Sequence, residues 1–229
     1  MSWSERRIMA VAAVNNAECY LEIGVNKGET FLNVPLPAKD GVDPQFLFNT
    51  SAHSSADVRF FSQFSDDFWI SGSPRTYDII FIDGLHTFEQ TFRDFASSLM
   101  FAHGRTVWLL DDTLPCDVFS ALPDQQKSFR ERARANLPGL PWHGDVYKIV
   151  PAIHDFFPTF RYATITGSGN PQTLLWAARR DRFQPRFNNL ETISRLSYFD
   201  IDPNIDLFNV MGEAEAVNLL RADFAGAPR

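Results

Sequence analysis

Cysteine is scarce: Cys19 and Cys116 are the only two in 229 residues. That excludes a disulfide framework and fits a reducing compartment or plain core packing. Long apolar runs are missing too. None approaches the roughly 20 residues a membrane-spanning helix needs. The opening MSWSERRIMAVAAVNNA holds only a short apolar piece, and Glu5 and the asparagines make it a poor secretory signal. A cytoplasmic chain without a membrane partner is the expectation. Positive charge is in deficit, with 21 Lys and Arg against 28 Asp and Glu and a net charge of -7. This disfavours nucleic acid as a partner, because that binding rests on clustered Lys and Arg. There is no internal repeat, and no linker splits off a second domain. The length fits one large domain.

Aromatic residues, by contrast, are plentiful. Twenty-two phenylalanines supply large rings for a core or for pocket walls. The most informative stretch is Tyr77 to Arg93, YDIIFIDGLHTFEQTFR. Ile79-Ile80-Phe81-Ile82 is apolar at every position, as in a parallel strand covered on both faces. It stops at Asp83, and Gly84 and His86 follow. Ligands of open α/β sheets sit at the carboxyl ends of such strands.

The remaining elements follow the same alternation. Residues 4 to 16 read as a helix capped by Ser4. Cys19 to Gly24 is a strand closing on Glu22 and Gly24, and Glu29 to Leu32 opens a helix that Pro35 and Pro37 keep short. Gly41 to Pro44 and Val58 to Phe61 are brief strands, with a turn or coil over Ser65 to Trp69. A helix is expected from Thr87 to Leu99, and a strand over Thr106 to Leu110 ends on Asp111-Asp112. A helix near Gln125 to Asn136 comes next, followed by one from Gly144 to Phe157 with Asp145 as its cap. Arg161 to Thr166 and Leu174 to Arg179, joined by GSGNP, read as an antiparallel hairpin. Strands alternating with helices predict an α/β, Rossmann-like doubly wound sheet with an antiparallel strand at its C-terminal end. Residues 1–185 would form this domain, with 186–229 as an acidic extension serving as a lid or a contact between subunits of a homo-oligomer.

Glu22-x-Gly24-x-x-x-Gly28 lies between a strand and a helix start. Glycine permits a tight turn and a close ligand approach there. The dinucleotide fingerprint needs a further glycine where Asn26 stands, so a pyrophosphate fits poorly. A plain strand-to-helix turn is the competing reading. Asp43 ends the next strand and is placed to accept two ribose hydroxyls, or else to cap the turn at Pro44.

YLEIGVNKGETF, GVDP, RFFSQFSDDF and YDIIFIDGLHTFEQTFRDF, in this order, resemble class I S-adenosylmethionine-dependent methyltransferases. More narrowly they are similar to the small-molecule O-methyltransferase-like group with a D-G-x-H motif and a paired-acid metal site. That group includes the sugar methyltransferases of macrolide pathways and the related cephamycin-pathway enzyme. The resemblance covers about residues 17 to 115 and implies a seven-stranded sheet. It also implies that Glu22, Gly24 and Gly28 surround the methionine part of S-adenosylmethionine, that Asn26 belongs to the same cofactor site, that Asp43 takes the ribose, and that Ser65 lies by the adenine. Asp83 borders the same cofactor. Phe64 stands where the family more often has an acid.

Three carboxylates at one sheet edge, Asp83, Asp111 and Asp112, repel unless positive charge lies between them. Mg²⁺ with oxygen ligands satisfies this. By the resemblance these three acids are the metal ligands. His86 is the base that deprotonates a small-molecule hydroxyl acceptor, with Asp83 beside it in the catalytic pair. The structural alternatives are a cap for His86 and for Asp112, and a cluster without metal in which one acid stays protonated. His143 and Asp145 are secondary candidates for the substrate pocket. Arg130, Arg132 and Arg134 read as a solvated helix face or an anion site. The rival functions are a nucleotide-cofactor oxidoreductase and a catalytically silent S-adenosylmethionine-binding relative.

Overall fold

A computed structural model describes residues 1–72 and 75–226, so the last three residues of the expected extension lie outside it. The sheet runs in the order β3-β2-β1-β4-β5-β7-β6-β8. Its strands are Cys19–Ile23 (β1), Ala38–Asp43 (β2), Val58–Ser62 (β3), Ile79–Ile82 (β4), Val107–Leu110 (β5), Phe160–Ile165 (β6), Gln172–Ala177 (β7) and Val210–Met211 (β8). The first five are parallel, and β7 runs antiparallel to both β5 and β6. The expected doubly wound sheet with its antiparallel hairpin is therefore present. The two residues of β8 add a short eighth strand, parallel to β6.

The unbroken apolar runs have a direct cause, since every central strand is buried on both faces. Ile80, Ile82, Trp108 and Leu110 pack toward the helices Ser65–Ser71 (α2), Phe88–Ser98 (α3) and Ile149–Phe156 (α5); two further helices are Gln125–Arg134 (α4) and Leu190–Ser194 (α6). Ile79, Phe81, Val107 and Leu109 face the opposite layer, where Trp3–Asn15 (α1) and Glu213–Gly226 (α7) supply Ile8, Val11 and Leu220. The phenylalanines serve mainly this core, with Phe95 packed edge-on against Trp108 at 5.7 Å between centroids.

Register sets up the site. Ile23 pairs with Ile82, and Ile82 pairs with Leu110. Gly24, Asp83 and Asp111 therefore emerge side by side at one edge. Strand order also reverses beside β1, as β2 lies on one side and β4 on the other. That is the crevice where open sheets bind ligands.

Several local expectations need correction. The first helix is capped by Ser2, whose hydroxyl accepts from Glu5 N–H while the Glu5 carboxylate accepts from Ser2 N–H. Ser4 is buried instead and accepts from Gln172. Glu29 to Leu32 forms turns without a regular helix, because Gly28 enters with φ +78° and Pro35 stops the chain soon after. Ser65 to Ser71 is a helix rather than coil, anchored by buried Phe68 and Trp69. Within the C-terminal segment, β8 joins the sheet edge and α7 packs on α1. Among the described residues, no helix is long and apolar enough to cross a membrane.

Candidate active site

The β4 run ends at Asp83, where the chain leaves the apolar sheet and turns through Leu85 into α3. His86 sits in that turn. The amide of Phe88, which opens α3, donates to Asp145 Oδ1 at 2.9 Å. Asp145 thus caps α3, not its own segment, and its other oxygen pairs with Lys148 at 2.8 Å. It does not line the cavity.

A cavity of about 560 Å³ opens at this edge, within the size range of small-molecule sites. Gly24, Asn26, Asp43 and Ser65 line it toward β1–β3, and Asp83, His86, Asp111 and Asp112 line it toward β4–β5. Glu22 faces an adjoining recess of about 270 Å³ shared with Gly24, Asn26 and Asp83. Gly28 lies off the cavity, where a β-carbon would meet Leu32 and Phe48 at about 3 Å. Nine of the ten predicted site residues therefore converge on one region.

The turn after β1 can only be built with glycine. Gly24 has φ +89°, and a β-carbon there would lie 1.9 Å from the Asp83 carbonyl oxygen. Asp43 accepts from the backbone amides of Asn26 at 2.8 Å and Gln45 at 2.7 Å. These bonds fix its carboxylate at the cavity wall. Phe64 is 67% exposed and forms a free apolar lip. The Ser65 hydroxyl accepts from the side-chain amide of Gln90 at 3.0 Å.

His86 stands between two acids. Its Nδ1 lies 2.5 Å from Asp112 Oδ2 and its Nε2 lies 3.8 Å from Asp83 Oδ1. The Nδ1 contact is short but poorly angled, and through it the Asp112 carboxylate favours the charged imidazole. The imidazole is stacked flat on Trp142, with centroids 4.5 Å apart and an angle of 7°. Asp112 adopts φ +60°, and its amide donates to Asp111 Oδ1 at 2.8 Å. That backbone twist turns the two neighbouring carboxylates toward the same space.

Burial drives the electrostatics of the cluster. It pushes the Glu22 carboxyl up to about 8, against the hydrogen bond from Tyr20. Burial and the Asp112 charge push Asp111 up to about 7. Asp83 is raised well above the usual carboxylate range by burial, then by Asp111 and Asp112. For His86, burial opposes the charged form, but Asp112 and Asp111 outweigh it and the net shift is upward. The cluster therefore takes up positive charge readily. Among the described residues, ligand atoms of Asp83, His86 and Asp112 come within 4.8 Å of one another. Asp111 lies outside that trio and is engaged by Asn170 and the Asp112 amide.

Three contributors escape the sequence reading. Asn170, in the β6–β7 turn, donates to Asp111 Oδ1 and Asp112 Oδ1, each at 2.6 Å. Trp142 lacks any motif, and its role as a ring platform depends on chain folding alone. Gly144 allows that loop to close on His86. His143, a secondary candidate, is buried, 3.0 Å from Asn170 Oδ1 and 3.9 Å from Asp112 Oδ1. Arg132 is not a solvated face residue. It is buried and paired with Asp117 at 2.5 Å, while Arg130 and Arg134 pair with Glu131.

The architecture is a Rossmann-like doubly wound sheet, and residues 21–113 match the family model described as a methyltransferase domain. No curated protein matches the chain. Among solved structures, the cofactor-bound protein Rv0187 from MTB is similar at 14% identity, covering 77% of this chain and 80% of that one, with a TM-score of 0.54. The O-methyltransferase TomG from Streptomyces achromogenes, involved in tomaymycin synthesis and solved with S-adenosylmethionine, is 13% identical over 78% of this chain and 81% of its own, with a TM-score of 0.53. The plantazolicin methyltransferase BpumL, solved with S-adenosylhomocysteine and a monoazolic desmethylPZN analogue, is 14% identical over 77% of this chain and 85% of its own, with a TM-score of 0.52. At these identities the likeness establishes the fold.

Proposed function

We propose that this protein transfers a methyl group from S-adenosylmethionine to a hydroxyl oxygen of a small molecule. The observation that carries the reading is the alignment, in one cavity, of Gly24 and Asp43 on one side with His86 and its acids on the other. A cofactor fits the first side. Gly24 permits the turn that brings β1 against the Asp83 backbone and so shapes this wall, and Asp43 presents a carboxylate suited to vicinal hydroxyls. When bound there, S-adenosylmethionine supplies an electrophilic methyl on a sulfonium, and the electrons of the broken C–S bond return to sulfur.

The residues of the chain do the rest. Asn26, Asp43 and Ser65 bind and orient along the β1–β3 edge. His86 accepts the proton of the acceptor hydroxyl as its oxygen becomes the nucleophile. Trp142 fixes the imidazole plane, and the closed edge aligns the two reactants, which is the main source of rate in such a transfer. The donor set also fits a divalent cation. Asp83 and Asp112 converge with His86, and the raised carboxyls mark a site that gains from positive charge. Asp83 and Asp112 would hold Mg²⁺, with Asp111 beside them as the further acid that the resemblance implies, and the ion would supply Lewis-acid stabilisation of a bound oxygen.

Incubation with methyl-labelled S-adenosylmethionine and a panel of sugars, catechols and polyketides tests the reading. Label on an acceptor oxygen is the expected result. No transfer to any acceptor, together with no binding of S-adenosylmethionine at millimolar concentration, overturns it.

A further inference from the structure

We propose that Asn170 is a positioning residue of this site and that buried Arg7 holds it in place from behind. The inference rests on the reading above for its kinetic arm only. Asn170 reaches both carboxylates, Asp111 and Asp112, from the hairpin side, where Gln172 also bonds Asp111. The Asn170 amide nitrogen lies 2.6 Å from an oxygen of each. Its oxygen lies 3.0 Å from His143 Nε2. The reversed amide would set an oxygen against two carboxylate oxygens, so the acids decide the orientation. With Asp112 Oδ1 engaged by Asn170, Oδ2 is left toward His86 Nδ1.

A turn residue would not hold that geometry by itself. Arg7 on α1 is fully buried. It donates to Asn170 O at 2.6 Å, to Ser168 O at 2.5 Å and to Gln172 Oε1 at 2.7 Å. Its remaining contact is Glu213, the first residue of α7, at 3.3 Å. A guanidinium presents a fixed fork of donors, and here three acceptors of one hairpin fill it. The turn is held further by Trp3, whose ring packs on Gly169 so tightly that a β-carbon there would lie 2.2 Å from it. Helix α1 and the start of α7 thus set the backbone from which Asn170 reaches across to the acids. The chain of contacts runs from Glu213 through Arg7 and Asn170 to Asp112 and His86.

Three variants separate this role from simple hairpin stability. Asn170→Asp keeps the shape and the turn preference but replaces the donor with an acceptor. Asn170→Ala removes the group. Arg7→Lys keeps the charge but cannot fill the fork. Turnover should fall about 10- to 100-fold in Asn170→Ala, the scale of a displaced reacting group. It should fall further in Asn170→Asp, with KM for S-adenosylmethionine within about twofold in both. Arg7→Lys should lower turnover in the wild-type background and add little to Asn170→Ala, because the two act through one contact. Ring ¹⁵N spectra of the histidines need no turnover. The signals of His86 and His143 should move in all three variants, while those of exposed His103 stay.

Asn170→Asp with wild-type turnover and unmoved His86 signals overturns the positioning role. Unmoved His86 and His143 signals in Arg7→Lys overturn the part assigned to Arg7. If the wild-type protein transfers no methyl group, the functional reading fails and the ring signals still decide this one.

Discussion

Gly144 presses against the backbone of His86: a β-carbon at Gly144 would lie 1.7 Å from the His86 carbonyl oxygen, and its φ is +62°. The Trp142–Gly144 loop and the turn after β4 are therefore one unit. Gly144→Ala must push them apart and take the Trp142 ring off the imidazole. We expect turnover to drop about 100-fold, the scale of an ångström displacement at a reacting group. Cofactor affinity should stay within a few-fold, since the β1–β3 edge is untouched. Steady-state kinetics with calorimetry reads both, and wild-type turnover would show that the stacking is idle.

His86→Ala should lower kcat by about 10²–10⁴-fold, the usual loss on removing a general base. His86→Gln should not restore it, because an amide cannot take the proton. Binding of S-adenosylmethionine should remain near wild type in both. A variant that loses binding along with turnover would make His86 part of the cofactor site instead.

How much of this was readable from the chain depends on the range of the interaction. The Ile79–Ile82 run and the GSGNP turn are local signals, and both the strand and the antiparallel hairpin form, with β7 starting two residues earlier than its apolar run suggests. Register then follows, which is why Gly24, Asp83 and Asp111 could be placed at one edge. The helix over Ser65–Ser71 was hidden because it has no side-chain cap and is held by the buried Phe68 and Trp69. In sequence Asp145 is an ordinary local cap candidate, yet it reaches 57 residues back to the amide of Phe88. Asn170 is an ordinary turn asparagine in sequence, and only the pairing of β7 with β5 brings it to the acids. Arg132 sits in a charged run whose pattern gives no sign of its buried partner, Asp117.

The raised carboxyls predict a pH-dependent stability with a definite sign. Folded Glu22 holds its proton up to about 8 and Asp111 up to about 7, whereas both would ionise near 4 in an unfolded chain. His86 is likewise raised. These three groups bind more protons in the folded state than in the unfolded one across this window, opposed in its middle by His154, which burial lowers, and stability should fall as pH rises from about 4 to 8. Each pKa unit is worth about 1.4 kcal/mol, or about 2–4 °C in Tm per kcal/mol for a chain of this size. Scanning calorimetry in EDTA should show Tm declining over that range.

A divalent cation should reverse that trend. Mg²⁺ binds the ionised acids, so the Tm gain on adding it should grow with pH and vanish in Asp111→Ala and Asp112→Ala. Activity that survives EDTA unchanged would remove the cation from the mechanism, leaving His86 and the acids to act alone.

The central claim is that the Gly24–Asp43 side of the cavity holds S-adenosylmethionine. Calorimetric titration of the wild-type chain and of Gly24→Ala is the most direct test. The account predicts saturable binding with a dissociation constant of about 1–100 μM, in the usual range for such ligands, and loss of that binding in Gly24→Ala, whose β-carbon would collide with the Asp83 backbone. No heat at millimolar S-adenosylmethionine in the wild-type chain, or equal binding in the variant, would contradict it.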